Sequence, residues 1–170
     1  MQKIVTNLWF DGRVEEALEL YTSLLPDSRV THIWRYGEGG MGAPGDIMSA
    51  DFELAGQVFT IINGNSFCEH SAAMSLMVLC DDQEEVDRLW AGLIAGGGAP
   101  SRCGWLTDRF GVSWQITPRR YIEMMKSDNA AAVERVMAAF LPMDKLDIAA
   151  LEKAFRNEKA ETDPPGATRG

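Results

Sequence analysis

The spacing of apolar residues changes from strand-like to helical within the first 25 residues. Residues 3–10, KIVTNLWF, form a strand-like run that ends at Asp11 and Gly12. Residues 13–25 carry apolar side chains three and four positions apart, which predicts an amphipathic helix. Residues 29–37 alternate and predict a half-buried strand, and residues 47–64 predict a hairpin that turns near Gly56.

The same order of elements then repeats. Residues 72–80 predict a strand, residues 82–98 predict a helix that Asp82 caps, and residues 100–118 contain the closing strands. Glutamates and leucines of the two predicted helices match at a constant offset of 69 positions. This offset favours duplication of one βαβββ unit, with chance similarity between two amphipathic helices as the alternative.

The pattern therefore predicts an α+β fold of two βαβββ units with mixed sheets, followed by helices. The first unit covers residues 1–66 and the second covers residues 72–118. Residues 119–156 form a helical extension whose apolar stripes predict packing or dimer contacts. The tail, residues 157–170, has no apolar period and is expected to be mobile.

Composition and charge narrow the class of partner. Of the 170 residues 46% are hydrophobic, which is enough for a core, and the formal net charge is −9. An acidic chain is a poor match for nucleic acid or an anionic membrane. We see no signal peptide and no apolar run of roughly 20 residues. Cys68, Cys80 and Cys103 fit no zinc spacing, and reduced thiols in a bacterial-type cytoplasm are expected.

Three segments of the chain resemble one known family. Residues 8–30, 84–98 and 103–120 are similar to the PhnB-like branch of the vicinal oxygen chelate superfamily, and the resemblance runs from about Lys3 to Phe155. That superfamily includes glyoxalase I, extradiol dioxygenases, fosfomycin-resistance proteins and bleomycin-binding proteins. Members of this branch are often labelled 3-demethylubiquinone-9 3-methyltransferase. The resemblance implies that the two units curl into a cup with the helices outside.

The resemblance also places the metal-ligand positions of the superfamily's metalloenzymes. These positions lie on the first and last strands of each unit, and Val5, Ser75 and Gln115 occupy three of them here. Valine has no donor atom, and serine and glutamine are poor ligands for a divalent metal. We therefore expect no catalytic metal and no other cofactor.

The cup of this family implies a site for a small organic molecule. The side chains expected to line it are Asn7, Trp9, Phe59, Ile61, Asn63, Ser75, Met77 and Gln115. On the opening strand, Thr6, Leu8 and Phe10 are then expected to pack against the helix. For the strand that carries Phe59, alternation leaves the register ambiguous by one residue, so the face that lines the cup is not determined. The alternative is that these side chains fill the cup as core.

Several other residues have a possible functional role, but for residues of their type a structural role is more common. Cys68 and His70 could form a thiolate–imidazole pair, or a metal site together with His32. Arg35 and Arg102 could hold an anionic ligand, although surface salt bridges are the ordinary role of arginine. Asp51 and Glu53 are expected on a solvated strand face, and Trp34 and Trp105 are expected near the rim of the cup.

Three functions stay open from the sequence. The first is a homodimeric protein that binds a small molecule without a catalytic metal. The second is an enzyme, either metal-dependent with unorthodox ligands or a methyltransferase. A methyltransferase of the common type needs a parallel doubly wound sheet with a glycine-rich first turn, whereas the glycines at 96–98 follow a helix. The third is a dimeric domain that binds no ligand.

Overall fold

The computed structural model of the protein describes residues 3–64 and 66–158. The first unit consists of β1 (Thr6–Phe10), α1 (Val14–Leu24), β2 (Arg29–Arg35), β3 (Ile47–Leu54) and β4 (Gln57–Asn63). Its strands form a sheet in the order β1-β4-β3-β2, with β1 parallel to β4 and the other pairs antiparallel. Ala55 and Gly56 both have positive φ, 48° and 78°, as a two-residue hairpin turn requires, and the predicted hairpin is confirmed.

The second unit repeats this arrangement. It consists of β5 (Leu76–Cys80), α2 (Gln83–Ile94), β6 (Ala99–Pro100), β7 (Trp105–Thr107) and β8 (Ser113–Pro118). The strand order is β5-β8-β7-β6, the order of the first sheet. The Asp82 carboxylate accepts from the Glu85 backbone N–H at 2.8 Å, so the predicted cap of α2 is confirmed. The α+β fold of two βαβββ units with mixed sheets is confirmed.

Each sheet has one face covered by a helix, and the two covered faces share one hydrophobic core. Leu8 and Phe10 of β1 pack there with α1, and Trp114 and Ile116 of β8 pack there with α2. We call the opposite side of each sheet its open face. Because successive side chains of a strand alternate, Asn7 and Trp9 lie on the open face of the first sheet.

The structure corrects the prediction for β4 by one step. Phe59 and Ile61 are 4% and 0% exposed and lie in the core, where Ile61 is paired with Leu8. Asn63 pairs with Phe10 on the same side of the sheet. These three residues therefore do not belong to the face that carries Asn7.

The predicted strand at residues 29–37 is present as β2, but it is not half-buried. It is the edge strand of the first sheet, and most of its residues are exposed. Ile33 and Trp34 are 39% and 42% exposed. Alternation in the sequence shows that a strand has two faces, but an edge strand with nothing packed beside it leaves both accessible.

After the second unit the chain forms three helices with a small core of their own. These are α3 (Arg119–Met125), α4 (Ala130–Phe140) and α5 (Ile148–Arg156). The buried residues of this core are Met124, Val136, Leu146 and Leu151. The Asp147 carboxylate accepts from the Ala150 N–H at 2.9 Å and caps α5. Of the tail predicted to be mobile, residues 159–170 lie outside the described residues.

The extension is tied to the second unit through the loop before β7. The backbone N–H groups of Cys103 and Gly104 donate to the carbonyls of Met143 and Asp144, at 2.6 and 2.7 Å. The Gln83 amide at the start of α2 donates to the Leu146 carbonyl at 3.1 Å and accepts from an α5 N–H. Within the described residues, no helix is both long and apolar enough to cross a membrane.

Candidate functional site

Gln115 lies at the centre of the open face of the second sheet. It is paired with Met77 of β5 on one side and with Trp105 of β7 on the other. Its side-chain Nε2 donates to the Ser75 hydroxyl at 2.8 Å. The amide oxygen accepts no hydrogen bond from the part of the chain that the structure describes. The strand therefore presents one fixed amide carbonyl between an aromatic and a methionine side chain.

Polar side chains cross the open face of the first sheet in one row. Asn7 pairs with Thr60, Thr60 with Asp51, and Asp51 with His32. The Asn7 amide donates to the Thr60 hydroxyl. Strand pairing thus places Asp51 and His32 on the same face as Asn7. The sequence assigned Asp51 to a solvated strand face without linking it to this row.

A row with two tryptophans lies beside the polar row. Trp9 pairs with Ile62, Ile62 with Ser49, and Ser49 with Trp34. The rings of Trp34 and His32 meet edge to face, with their centroids 4.1 Å apart. Aromatic faces next to hydrogen-bonding groups are the usual lining of a small-molecule site.

The structure brings three of the predicted site residues to one pocket. Asn7 and Trp9 of the first unit and Ser75 of the second line a pocket of about 290 Å³, together with part of the segment that connects the units. Gln115 adjoins it through its hydrogen bond to Ser75, and Met77 lies opposite Gln115.

Phe59, Ile61 and Asn63 are not part of this arrangement. Phe59 and Ile61 belong to the core. The Asn63 side chain is bonded to the backbone instead: it accepts from the Gly12 N–H and donates to the Ile47 carbonyl, both at 2.9 Å. Asn63 therefore stabilises the turn after β1.

The residues at the superfamily's metal positions do not fit a tightly held metal. Val5 offers no donor atom, and the Gln115 amide is already bonded to Ser75. Within the described residues, no group of three or more His, Cys, Asp or Glu side chains lies close enough to hold an ion. Cys68, His70 and His32, considered from the sequence as a metal site, therefore do not form such a group. Divalent transition metals need several imidazole, thiolate or carboxylate ligands, and this donor set does not supply them.

The two arginines considered for anion binding have structural contacts. Arg35 donates to the Gly45 carbonyl at 2.8 Å and closes the loop between β2 and β3. Arg102 donates to the Pro142 carbonyl at 3.0 Å and lies 3.5 Å from the Asp144 carboxylate. Arg102 therefore helps to hold the extension.

Sequence reasoning missed a buried carboxylate that joins the two units. Asp108, 3% exposed, accepts from the Tyr21 hydroxyl at 2.7 Å and from the Trp114 indole at 2.8 Å. Its other oxygen accepts from the backbone N–H groups of Phe110 and Val112, at 2.9 and 3.0 Å. Burial, and then the Asp108 charge, raise the pKa of Tyr21, so its hydroxyl stays a donor. The sequence gives one sign of this contact, which is Tyr21 on the apolar stripe of the first predicted helix. A buried tyrosine hydroxyl needs a hydrogen-bond partner.

The three cysteines differ in accessibility, and we expect them to react in order. Cys68 is exposed, Cys103 is half-buried, and Cys80 is fully buried. Burial raises the pKa of the Cys80 thiol to about 12, so almost no thiolate forms at mildly alkaline pH. A chromogenic aromatic disulfide should react with Cys68 first and with Cys80 only after urea unfolds the protein. In a Cys68→Ser variant the fastest phase should disappear; its persistence would contradict the assignment.

Two βαβββ units with the same strand order form the α+β fold that the resemblance implies. The family model of 3-demethylubiquinone-9 3-methyltransferase matches residues 2–117. The chain therefore belongs to that family. No curated protein matches the chain.

Solved structures agree with the assignment. The PhnB protein from Bacillus cereus, a proposed 3-demethylubiquinone-9 3-methyltransferase, is 40% identical with a TM-score of 0.65, over 69% of this chain and 99% of that one. Protein PA1353 from Pseudomonas aeruginosa is 23% identical with a TM-score of 0.58, over 69% of this chain and 98% of that one, and shows the fold alone. The family model ends before α3, so the three-helix extension lies outside it.

Proposed function

We propose that the protein binds a small organic molecule against the open faces of its sheets, without a catalytic metal. The observation that carries this proposal is the Gln115–Ser75 hydrogen bond of 2.8 Å, which fixes an amide carbonyl between Met77 and Trp105. A small-molecule site of this type combines apolar walls with few, well-oriented polar groups. The ligand class is a molecule with an apolar body and at least one hydrogen-bond donor, which the amide carbonyl would orient.

The first experiment replaces the orienting amide. Gln115→Leu should weaken binding about tenfold or more, because the variant loses one hydrogen bond and leaves the ligand's donor unpaired. A thermal-shift screen of small organic molecules would select compounds, and calorimetric titration would measure the dissociation constant of each for both proteins. Unfolding in urea would check that the fold is intact.

Gln57→Leu is the matched control, because Gln57 is an exposed glutamine at the start of β4. It should bind every selected compound as the wild type does. If Gln115→Leu also binds them all with unchanged affinity, Gln115 packs as core and orients no ligand. A screen that selects no compound for the wild type would contradict the proposal itself.

A homodimer is part of the proposal, because the open faces carry apolar side chains that the single chain leaves accessible. Val5, Trp34, Met77 and Leu79 are 37%, 42%, 50% and 37% exposed. Exposed apolar surface of this kind marks an interaction surface. A second copy would cover part of both open faces and enclose the ligand.

Light scattering after size exclusion should therefore give twice the 18.8 kDa chain mass at micromolar concentration. Met77→Glu and Leu79→Glu together should shift the mass toward one chain, since they add charge to a face that the partner covers. The exposed pair Glu15→Gln and Glu19→Gln on α1 is the control and should leave the dimer intact. A monomeric wild type at this concentration would contradict the dimer.

Methyl transfer, the activity in the family's name, is the second candidate. Neither sheet is the parallel doubly wound sheet of the common methyltransferases: in each, one parallel pair is combined with antiparallel pairs. The open faces carry Asp51 and His32 as the only paired acid and imidazole of the described strands. An assay for transfer from a methyl donor to phenolic substrates would distinguish this candidate from binding alone.

A further inference from the structure

A second pocket lies beyond the end of β1, where the turn before α1, the connecting segment and the turn between β7 and β8 meet. Its volume is about 400 Å³. Aromatic walls come from Trp9, Phe10 and Phe110, and three cationic or ionisable nitrogen groups come from the residues around them: Arg13, His70 and Arg109. Except for Trp9, these residues are not on the open faces that the proposed function uses.

The side chain of Arg109 has no hydrogen-bond or ion-pair partner among the described residues. Every other arginine within residues 3–64 and 66–158 donates a side-chain hydrogen bond or forms an ion pair. Arg109 does neither, and its Nε is buried with no acceptor. Its guanidinium carbon lies 5.1 Å from the centre of the Phe110 ring. In a chain of net charge −9, a cation that no carboxylate pairs is unusual.

His70 has the same deficiency in the same pocket. Its ring packs edge to face on Phe10, with centroids 5.2 Å apart, and its Nε2 is buried without a partner. Among the described residues, His70 Nε2 and Arg109 Nε are the two buried side-chain polar atoms that lack a hydrogen bond. Both residues line this one pocket. Buried polar groups are normally bonded, so two exceptions in one place point to a missing hydrogen-bonding partner, which for the Arg109 Nε–H is an acceptor.

Arg13 adds a second positive charge beside them. Its guanidinium lies 4.7 Å from the centre of the Phe110 ring and donates to the Arg109 carbonyl at 3.3 Å. Glu16 pairs with Arg13 at 2.9 Å and offsets part of that charge. Asp11 and Glu69 also line the pocket, and their charge disfavours a polyanion.

We propose that this pocket is a binding site for a small oxyanion group, a single carboxylate or phosphate, held by Arg109 and His70 with Arg13 in support. Guanidinium groups bind both oxyanions through charge-assisted hydrogen bonds. The aromatic walls accommodate an apolar body attached to the anion. This proposal does not rest on a ligand at Gln115, although Trp9 and His70 also line the neighbouring pocket that contains Ser75.

The chain's two histidines provide a direct test by NMR. The ring-proton signals of His70 should move saturably when sodium phosphate or sodium acetate replaces chloride at constant pH and ionic strength. The dissociation constant should be on the order of 1 mM, as expected for one or two charge-assisted hydrogen bonds. The signals of His32, on β2, should stay in place and serve as the internal reference. If only acetate gives a saturable shift, the anionic group that the site binds is a carboxylate. If phosphate binds more tightly than acetate, it is a phosphate group.

Arg109→Gln should weaken the anion response at least about tenfold, because it removes the unpaired charge. Arg29→Gln, the same change at an exposed position on β2, is the control and should leave it unchanged. Arg109→Lys keeps the charge and should bind with intermediate affinity, which tests the site even if the glutamine variant folds poorly. Shifts that do not saturate, or that affect both histidines equally, would overturn the proposal. An unchanged response in Arg109→Gln would do the same.

Discussion

Asp108→Ala should destabilise the protein by about 3–5 kcal/mol, more than an exposed acidic residue could. The substitution leaves the Tyr21 hydroxyl and the Trp114 indole N–H buried without an acceptor, and it also removes the partner of two backbone N–H groups. Each unpaired buried donor costs about 1–3 kcal/mol. A domain of this size is stable by only about 5–15 kcal/mol, so the variant should unfold at much lower urea.

The measurement is urea unfolding followed by tryptophan fluorescence, with Asp81→Ala as the control. Asp81 is paired with Arg119 at 2.7 Å, but its side chain is 76% exposed, and surface pairs contribute about 0–1 kcal/mol. Tyr21→Phe should cost about 1–2 kcal/mol. In the double variant the two losses should not add, because both residues belong to one network. A loss below 1 kcal/mol in Asp108→Ala would show that the network does not join the units.

The core side of β1 could be predicted, but the face of β4 could not. The resemblance placed Leu8 and Phe10 of β1 against the helix, where the structure has them. In β4, QVFTIIN, apolar residues occur on both faces, and periodicity cannot choose between them. Only the pairing of Ile61 in β4 with Leu8 in β1 determines which face of β4 lies in the core.

The candidate site was predictable where it depended on one strand and hidden where it depended on distant pairing. Gln115 and Ser75 were both expected to line the cup, and the structure joins them by a hydrogen bond. The link between Tyr21 and Asp108 spans 87 positions, and no local pattern shows it. The pocket of Arg109 and His70 likewise forms only when the connecting segment folds back on the β7–β8 turn.

Leu151→Ala should unfold the three-helix extension while the two units stay folded. Leu151 is 0% exposed in a core with only three other fully buried residues, so a loss of about 2–5 kcal/mol is large relative to what holds these helices. The extension lies outside the family model, and its backbone bonds to the second unit converge on Cys103 and Gly104. Local unfolding of such a segment does not require the main core to open.

Hydrogen exchange read by NMR separates local from global unfolding. In Leu151→Ala the amides of Cys103 and Gly104, bonded to Met143 and Asp144, should lose protection, whereas the Val112 amide bonded to Asp108 should keep it. Leu141→Ala is the matched control, since Leu141 is 56% exposed and should change protection at neither place. If Val112 loses protection together with Gly104, the extension and the units form one cooperative structure, and the extension is as much a part of the fold as the sheets.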